Sequence, residues 1–420
     1  MLKLEILVIL SYNKHCWDYN WRTVFSVGRK LNVEELKASI TGEIDNQRHR
    51  LSQLSLKIHA NPELGFHEVK AATWSTEYLE ENGFSVERGI CGLPTAFRGI
   101  YGQEKPAVAI LAEYDALPCI GHACGHNIIA TSAVGAAVAS KLAIDRFGGS
   151  ILVLGTPAEE TYGGKAVMAD RGGFNDVDMA MMIHPGVHST ATIRALANQN
   201  LEVEFFGRAV HAAARPEVGI NALEAMLNSF AAINSLRQHI KSTARIHGII
   251  TDGGEAANIV PAHSAGSFIV RAEDYAYLEE LKDKVLNCFV GAATASGARL
   301  KYKWGEVRYA PMRNNLTMAR LFQQNMQSLE RRMQLSNPNS AFGSTDMGNV
   351  SQLVPSIHPI VAIAPMDVMG HSPQFAEAAA SEAGIRGLVD GAKALAMTVA
   401  DLLSNPEVVS KVKKEFQQQK

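Results

Sequence analysis

The sequence predicts an α/β fold on a mostly parallel sheet, with a smaller α+β domain inserted into it. Residues 107–112, 150–154 and 179–183 are short runs of small and branched apolar side chains, the pattern of strands buried on both faces. A helical stretch at 128–143 separates the first two, giving the texture of an α/β domain. From about Leu196 the texture changes to strand, helix, strand, strand, helix, strand, the order of a split, ferredoxin-like βαββαβ sandwich. After Tyr309 the α/β texture returns. The chain therefore divides into an unassigned tail (1–31), a discontinuous main domain (32–195 and 309–420) and an insert (196–308) of ordinary small-domain size.

In chain order, Asn32 reads as the cap of a first helix, with Glu34 and Glu35 in its first turn where the dipole favours acids. Leu51, Leu54 and Ile58 carry the apolar spacing to His59, which reads as structural at a turn through Pro62 and Gly65. Residues 68–82 form a second amphipathic helix stopped by Gly83. Strands follow at 84–86, 95–99 and 108–111, then an Ala-rich helix at 128–143 that must pack closely. The start of that helix lies just after Cys124 and His126, so its positive end is expected to favour a thiolate. In the insert, 199–206 alternates as a half-exposed strand. A helix at 219–239, strands at 244–250 and 264–271, a helix at 275–296 and a strand at 298–304 complete it. The final part reads as a helix at 317–332, a Pro/Asn/Ser/Gly loop at 336–345, a strand at 360–363 and a helix at 382–403.

The 420 residues are enough for two domains and a large core. With 47% hydrophobic and 20% charged residues the chain is expected to be soluble and globular. A net charge of −2 and a pI near 6.7 argue against nucleic-acid and membrane-surface partners. Residues 4–10 are apolar but too short to span a bilayer, and no A-x-A cleavage site follows them. Cys16, Cys91, Cys119, Cys124 and Cys288 are few and scattered, which suits a reducing compartment and a cytoplasmic protein.

The chemistry gathers at strand ends, where open α/β sheets place their sites. After residues 107–112 come Glu113, Asp115, His122, Cys124 and His126, and after 150–154 comes Gly-Thr-Pro-Ala with Glu159 and Glu160. His184 ends the next strand, and His371 follows Gly370 late in the chain. Thiolate, imidazole and carboxylate are the ligands of a borderline-soft divalent metal. Cys124, His126, Glu160, His184 and His371 would make five ligands for two ions about 3.5–4 Å apart. Glu159, not itself a ligand, would move the proton between water and leaving nitrogen, and Asp115 would hold a ligand imidazole. Each piece also has a plainer reading: a buried thiol beside a satisfied histidine, or an exposed acidic turn. Two other functions stay open. Cys124 could be a nucleophile activated by His126 with Glu159 orienting it, or the chain could be a sensor that binds amino acids without turnover.

With these motifs in view the chain resembles the M-20 metallopeptidase family of aminoacylases, amidohydrolases and dipeptidases. The matching residues are Asp115-Ala-Leu-Pro118, Ala123-Cys-Gly-His126, Thr156-Pro-Ala-Glu-Glu160, His184, Gly207-Arg-Ala-Val-His211, Asn258-Ile-Val-Pro261 and His371, spread over nearly the whole chain. The resemblance implies a zinc-peptidase-type catalytic domain in which Cys124 bridges two metals and His126, Glu160, His184 and His371 are terminal ligands. It implies Glu159 as general base and acid, zinc as the first choice of ion, and manganese or cobalt as others that suit. It makes the insert a lid and dimerisation domain. From there His211 would polarise the scissile carbonyl of the partner subunit's substrate, and Asn258 and Arg271 would hold the substrate carboxylate. The implied substrate is a small dipeptide or N-acyl amino acid with a free carboxylate, and the implied assembly a homodimer. Asn127 stands where most Cys-Gly-His members have aspartate. With Gly121-His-Ala-Cys-Gly-His-Asn127, His247-Gly-Ile-Ile250 and the stretch 343–351, it points to a branch associated with Xaa-Arg and Xaa-Lys dipeptides. Glu113 stands where relatives have aspartate or a ligand histidine, and His122 has no ligand counterpart.

Overall fold

The computed structural model describes residues 21–337 and 343–419. Helix α1 (Trp21–His59) runs straight through Asn32, so that asparagine is not the cap the sequence suggests. An asparagine inside a helix costs only a few tenths of a kcal/mol, too little to end it when the flanking residues continue the turn. The part of the predicted tail from Trp21 onward is therefore helical, and residues 1–20 lie outside the described residues. Helix α2 (Val69–Glu81) follows, and Gly83, at φ 82°, turns the chain into β1 (Ser85–Arg88). Next come β2 (Phe97–Gly102), β3 (Ala107–Ala112), α3 (His126–Phe147), β4 (Ser150–Gly155), α4 (Gly164–Asp170), β5 (Met179–Met181) and β6 (His184–Gly186).

The insert is β7 (Ala197–Phe206), α5 (Ala222–Leu236), β8 (Arg245–Asp252), β9 (His263–Ala272), α6 (Tyr275–Ser296) and β10 (Arg299–Tyr309). Its antiparallel sheet runs β10-β7-β9-β8, with β8 at an edge. The helix expected at 219–239 is α5 flanked by 3-10 turns at Pro216–Val218 and Arg237–His239. Asn221 caps it by accepting from the Glu224 N–H at 3.1 Å. The chain returns through α7 (Leu316–Ser328), α8 (Met347–Leu353), β11 (Ser356–Ile357), β12 (Ile360–Ala362), α9 (Pro373–Ala380), α10 (Glu382–Ser404) and α11 (Pro406–Gln418).

The main sheet has the order β1-β2-β4-β3-β5-β11. Pairing is parallel from β4 through β3 and β5 to β11, and antiparallel only at the β1 and β2 side. Because side chains alternate across a strand, β3 sends Val108 and Ile110 to one core and Ala109 and Leu111 to another. The first core holds α3 between α1 and α10, which explains its alanines: a Cβ on Gly135 would come within 2.8 Å of Leu51. Helix α3 is long and apolar enough to cross a membrane, but it is buried along its length inside this core. The insert has its own core of Leu201, Val203, Phe205, Phe268, Leu278, Leu281 and Phe289. Strands β3, β4 and β5 lie side by side and all run the same way, so the residues following each one emerge at the same sheet edge.

Candidate active site

Between β3 and α3 the chain makes a compact turn, closed by reciprocal bonds between Leu117 and Gly121. Gly125, at φ 77°, ends it as the N-cap of α3, and a Cβ there would lie 2.5 Å from Pro185 Cγ. That close approach sets Cys124 and His126 against His184, with Cys124 Sγ 3.4 Å from His184 Nε2. The His126 ring donates from Nδ1 to Asp115 Oδ1 at 2.9 Å, and the His184 ring from Nδ1 to the Pro185 carbonyl at 2.7 Å. Both rings are thereby fixed with Nε2 as the free lone pair, the tautomer a metal ligand needs.

Glu160 reaches the same place from the turn after β4, its Oε1 3.8 Å from His126 Nε2 and 3.4 Å from His371 Nε2. His371 sits at φ 59°, an unfavourable conformation for a residue with a Cβ, and its N–H donates to the Ala123 carbonyl at 3.0 Å. That bond secures it one residue from Cys124. Two triads within 4.8 Å, Cys124/His126/His184 and Cys124/Glu160/His371, share the thiol, and Glu159 forms a further one with His126 and Glu160. His126 Nε2 and Glu160 Oε1 are buried with no hydrogen-bond partner. Buried polar atoms rarely go unsatisfied, so thiol, imidazole and carboxylate converging here fit a pair of divalent ions.

Although Cys124 as a residue is half-buried, its thiol is enclosed. Burial pushes it well up, and neighbouring His126 only partly offsets this. The thiolate expected from the start of α3 therefore does not follow from the helix end alone. Desolvation exceeds the dipole, and a cation at the site is needed to hold the charged form. Burial also acts to raise Asp115, but the His126 ring and the Glu160 N–H at 3.0 Å outweigh it and hold that carboxyl low. Glu159 is pushed well up, first by burial and then by the nearby charges of Glu113 and Asp346.

The structure brings together Asp115, Cys124, His126, Glu159, Glu160, His184 and His371. Asn258 and His211 lie elsewhere, exposed on the insert and joined by a bond from the Ala212 N–H to the Asn258 carbonyl. Arg271 is half-buried near the end of β9. It donates to His247 Nε2 at 3.2 Å and to Ser344 Oγ of the main domain at 2.8 Å. His122 is buried against His59 with ring centroids 6.0 Å apart, and burial holds it neutral, down to about 3. It belongs to neither triad, which favours its structural reading.

Sequence reasoning missed Glu68, Lys165, Tyr309, Asp346 and His358. Lys165 and Asp346 are fully buried and paired, Nζ to Oδ1 at 2.7 Å. The Tyr309 hydroxyl donates to the Glu159 carbonyl at 2.9 Å. His358 is buried with its ring 5.5 Å from that of His184 and both nitrogens unpartnered. The one available signal was Lys165, a cation entering an apolar Ala-Val-Met run behind two glycines; the others have no local signature.

Residues 197–292 match the model of the peptidase dimerisation domain of the M20 family. The chain is 37% identical over 403 residues to the Xaa-Arg dipeptidase of Mus musculus, covering 91% of this chain and 93% of that protein. It is 35% identical to the Xaa-Arg dipeptidase of Homo sapiens, over 92% and 93% of the two chains. The fold is similar to that of a dinuclear metal-binding peptidase of the M20 family from Bacillus subtilis, at a TM-score of 0.68 and 19% identity, covering 86% of this chain and 99% of that one. With identity above a third along nearly its whole length, and a dimerisation domain inserted between His184 and His371, this chain belongs to the M20 peptidase family.

Proposed function

We propose that this chain is a dipeptidase for Xaa-Arg and Xaa-Lys substrates, with two divalent ions, zinc in the first place, held by Cys124, His126, Glu160, His184 and His371. At the coarser level it is a metal-dependent hydrolase of amide bonds in dipeptides or N-acyl amino acids. The observation that carries the proposal is the pair of donor triads sharing Cys124, with the half-buried Glu159 beside them. The similarity to two Xaa-Arg dipeptidases supports the basic C-terminal residue. Bound there, the ions supply Lewis acidity and make a coordinated water easier to deprotonate.

Asp115 and the Pro185 carbonyl hold the imidazoles in the ligating tautomer. Glu159 takes the proton of the attacking water and returns it to the leaving nitrogen. A carboxyl raised by burial and by neighbouring acids suits both halves of that work, because it holds a proton more readily than an ordinary carboxylate does. Arg271 and Asn258 recognise the free carboxylate, the guanidinium through its planar fork of donors. His211, exposed on the insert, reaches the substrate carbonyl in the partner subunit. Edge strand β8 supports a homodimer, since it exposes Ile249 (64%) and Ile250 (38%) beside unpaired backbone groups.

The deciding experiment is Glu159→Gln. Metal content should stay near two ions per chain while kcat on an Xaa-Arg dipeptide falls by about 10²–10⁴. Loss of metal together with activity would mean that Glu159 is a ligand. The same assay on N-acyl amino acids tests the second reading, aminoacylase-like hydrolysis, which would win if those substrates turned over faster than dipeptides.

A further inference from the structure

Beside the two triads lies a second cluster, made of Glu113, Glu159 and Asp346, in which one carboxylate oxygen from each falls within 4.8 Å of the others. Three carboxylates this close, two of them fully buried and Glu159 half-buried, repel strongly where water screens poorly. The cluster contains its own cation. Lys165, in the first turn of α4, is 0% exposed. Its Nζ donates to Asp346 Oδ1 at 2.7 Å, while its backbone N–H donates to Asp346 Oδ2 at 2.8 Å. Nζ also lies 2.5 Å from Glu113 Oε1, a contact of charges without good hydrogen-bond alignment. The other oxygen of Glu113, Oε2, is 3.4 Å from His126 Nε2. The ammonium pairs directly with Asp346 and Glu113 only, and Glu159 lies beyond 4.0 Å from Nζ, so the charge acts on the third acid through its field rather than by a bond.

We propose that Lys165 is a positioning residue for the hydrolysis: its ammonium is the internal counter-ion that gathers Glu113 and Asp346 and keeps the Glu159 carboxylate in place beside the metal ligands. The three acids come from three separate segments: the end of β3, the turn after β4 and the approach to α8. Without the ammonium between them, repulsion would move the most mobile of the three. Glu113 is fully buried beneath His126, and Asp346 is fully buried against the start of α4, whereas Glu159 sits on a turn. The displaced group is therefore the base. This inference rests on the reading of Glu159 as the base, and the test separates the two.

Lys165→Met keeps the length and apolar stem of the side chain and removes only the charge. The expected result is a kcat lower by about 10- to 100-fold, KM changed less than about threefold, and metal content still near two ions per chain. Because Lys165→Met leaves buried acids without a partner and can fail to fold, Lys165→Met/Asp346→Asn is made alongside it. Removing both members of a buried pair is far better tolerated than removing one. The double variant should melt near the parent, bind metal and remain slow; parental kcat in it would show that Lys165 serves only to neutralise Asp346, and would overturn the proposal.

A double-mutant cycle with Glu159→Gln closes the argument. If Lys165 acts through Glu159, adding Lys165→Met to Glu159→Gln costs nothing further in residual kcat. The same fold loss in both backgrounds would overturn the positioning role while leaving the base in place. An active Glu159→Gln enzyme would instead remove the base reading itself.

Discussion

Glu68 is not among the ligand candidates, yet it secures the turn that presents two of the acids. Its carboxylate accepts from the Ala158 N–H at 2.8 Å and from the Thr95 hydroxyl at 2.9 Å. Ala158 has φ 60°, so the turn needs an outside partner to hold it. Burial, with Asp115 adding to it, pushes Glu68 up to about 7 from an ordinary 4.5, against the opposing pull of those hydrogen bonds. Between these values the folded chain holds a proton that the unfolded chain has released. The stability this group contributes is complete below about pH 4.5 and is lost as pH rises through 7. Glu68→Gln keeps an acceptor for Ala158 without titrating. Measured against it, the parent should lose stability from pH 5 to 8, by an amount on the order of 3 kcal/mol. A difference between the two proteins that stays flat with pH would mean that Glu68 is ionised throughout.

At the scale of elements, the junction of β4 with α4 decides whether the site exists. The turn after β4 folds back on the first residue of α4 so tightly that a Cβ on Gly164 would lie 1.8 Å from the Pro157 carbonyl oxygen. No side-chain rearrangement relieves a clash with backbone, so Gly164→Ala must move the turn, α4, or both. Glu159 and Glu160 ride on one side of this contact and Lys165 on the other. The variant is expected to fold with a lower Tm and to retain fewer than two ions per chain after dialysis. Gly291→Ala, in α6 with open space around its Cβ, is the control and should keep full metal content. It removes a helix glycine and should gain about 0.5–1 kcal/mol. Parental metal content in Gly164→Ala would show that the turn can relax without disturbing its ligand.

At the scale of the molecule the question is which subunit completes which site. His211 is exposed on the insert, and Arg271 of the same domain reaches Ser344 of its own main domain. The insert thus touches its own catalytic half through Arg271 while leaving His211 to face outward. If His211 serves the partner, His211→Ala and Glu159→Ala are each inactive alone but complement when co-expressed. In a mixed dimer one site keeps Glu159 and receives His211 from the other chain. Random pairing of equal amounts then gives roughly a quarter of parental activity. Complementation absent in dimers confirmed by light scattering would assign His211 to its own subunit.

The sequence by itself determined the fold class, the family and the two turns that carry the candidate ligands, because these are written in local patterns. Apolar runs such as 107–112, short and rich in small and branched residues, read as buried strands, and Cys124, His126, Glu159 and Glu160 lie on the turns that follow such runs. The insert was legible for the same reason, its order of strands and helices being a matter of periodicity. The helix start was not, since Asn32 offers a cap that the continuing turns of α1 override. Only the tertiary structure decided what lies beneath the site. Lys165, Asp346 and Glu113 are separated by scores of residues and by an entire inserted domain, and neither the strand-end position of Glu113 nor the apolar run around Lys165 says that the three meet. Burial turns them into one unit: a charge out of water must find its opposite within a few ångströms, and that requirement is met by the fold rather than by spacing along the chain.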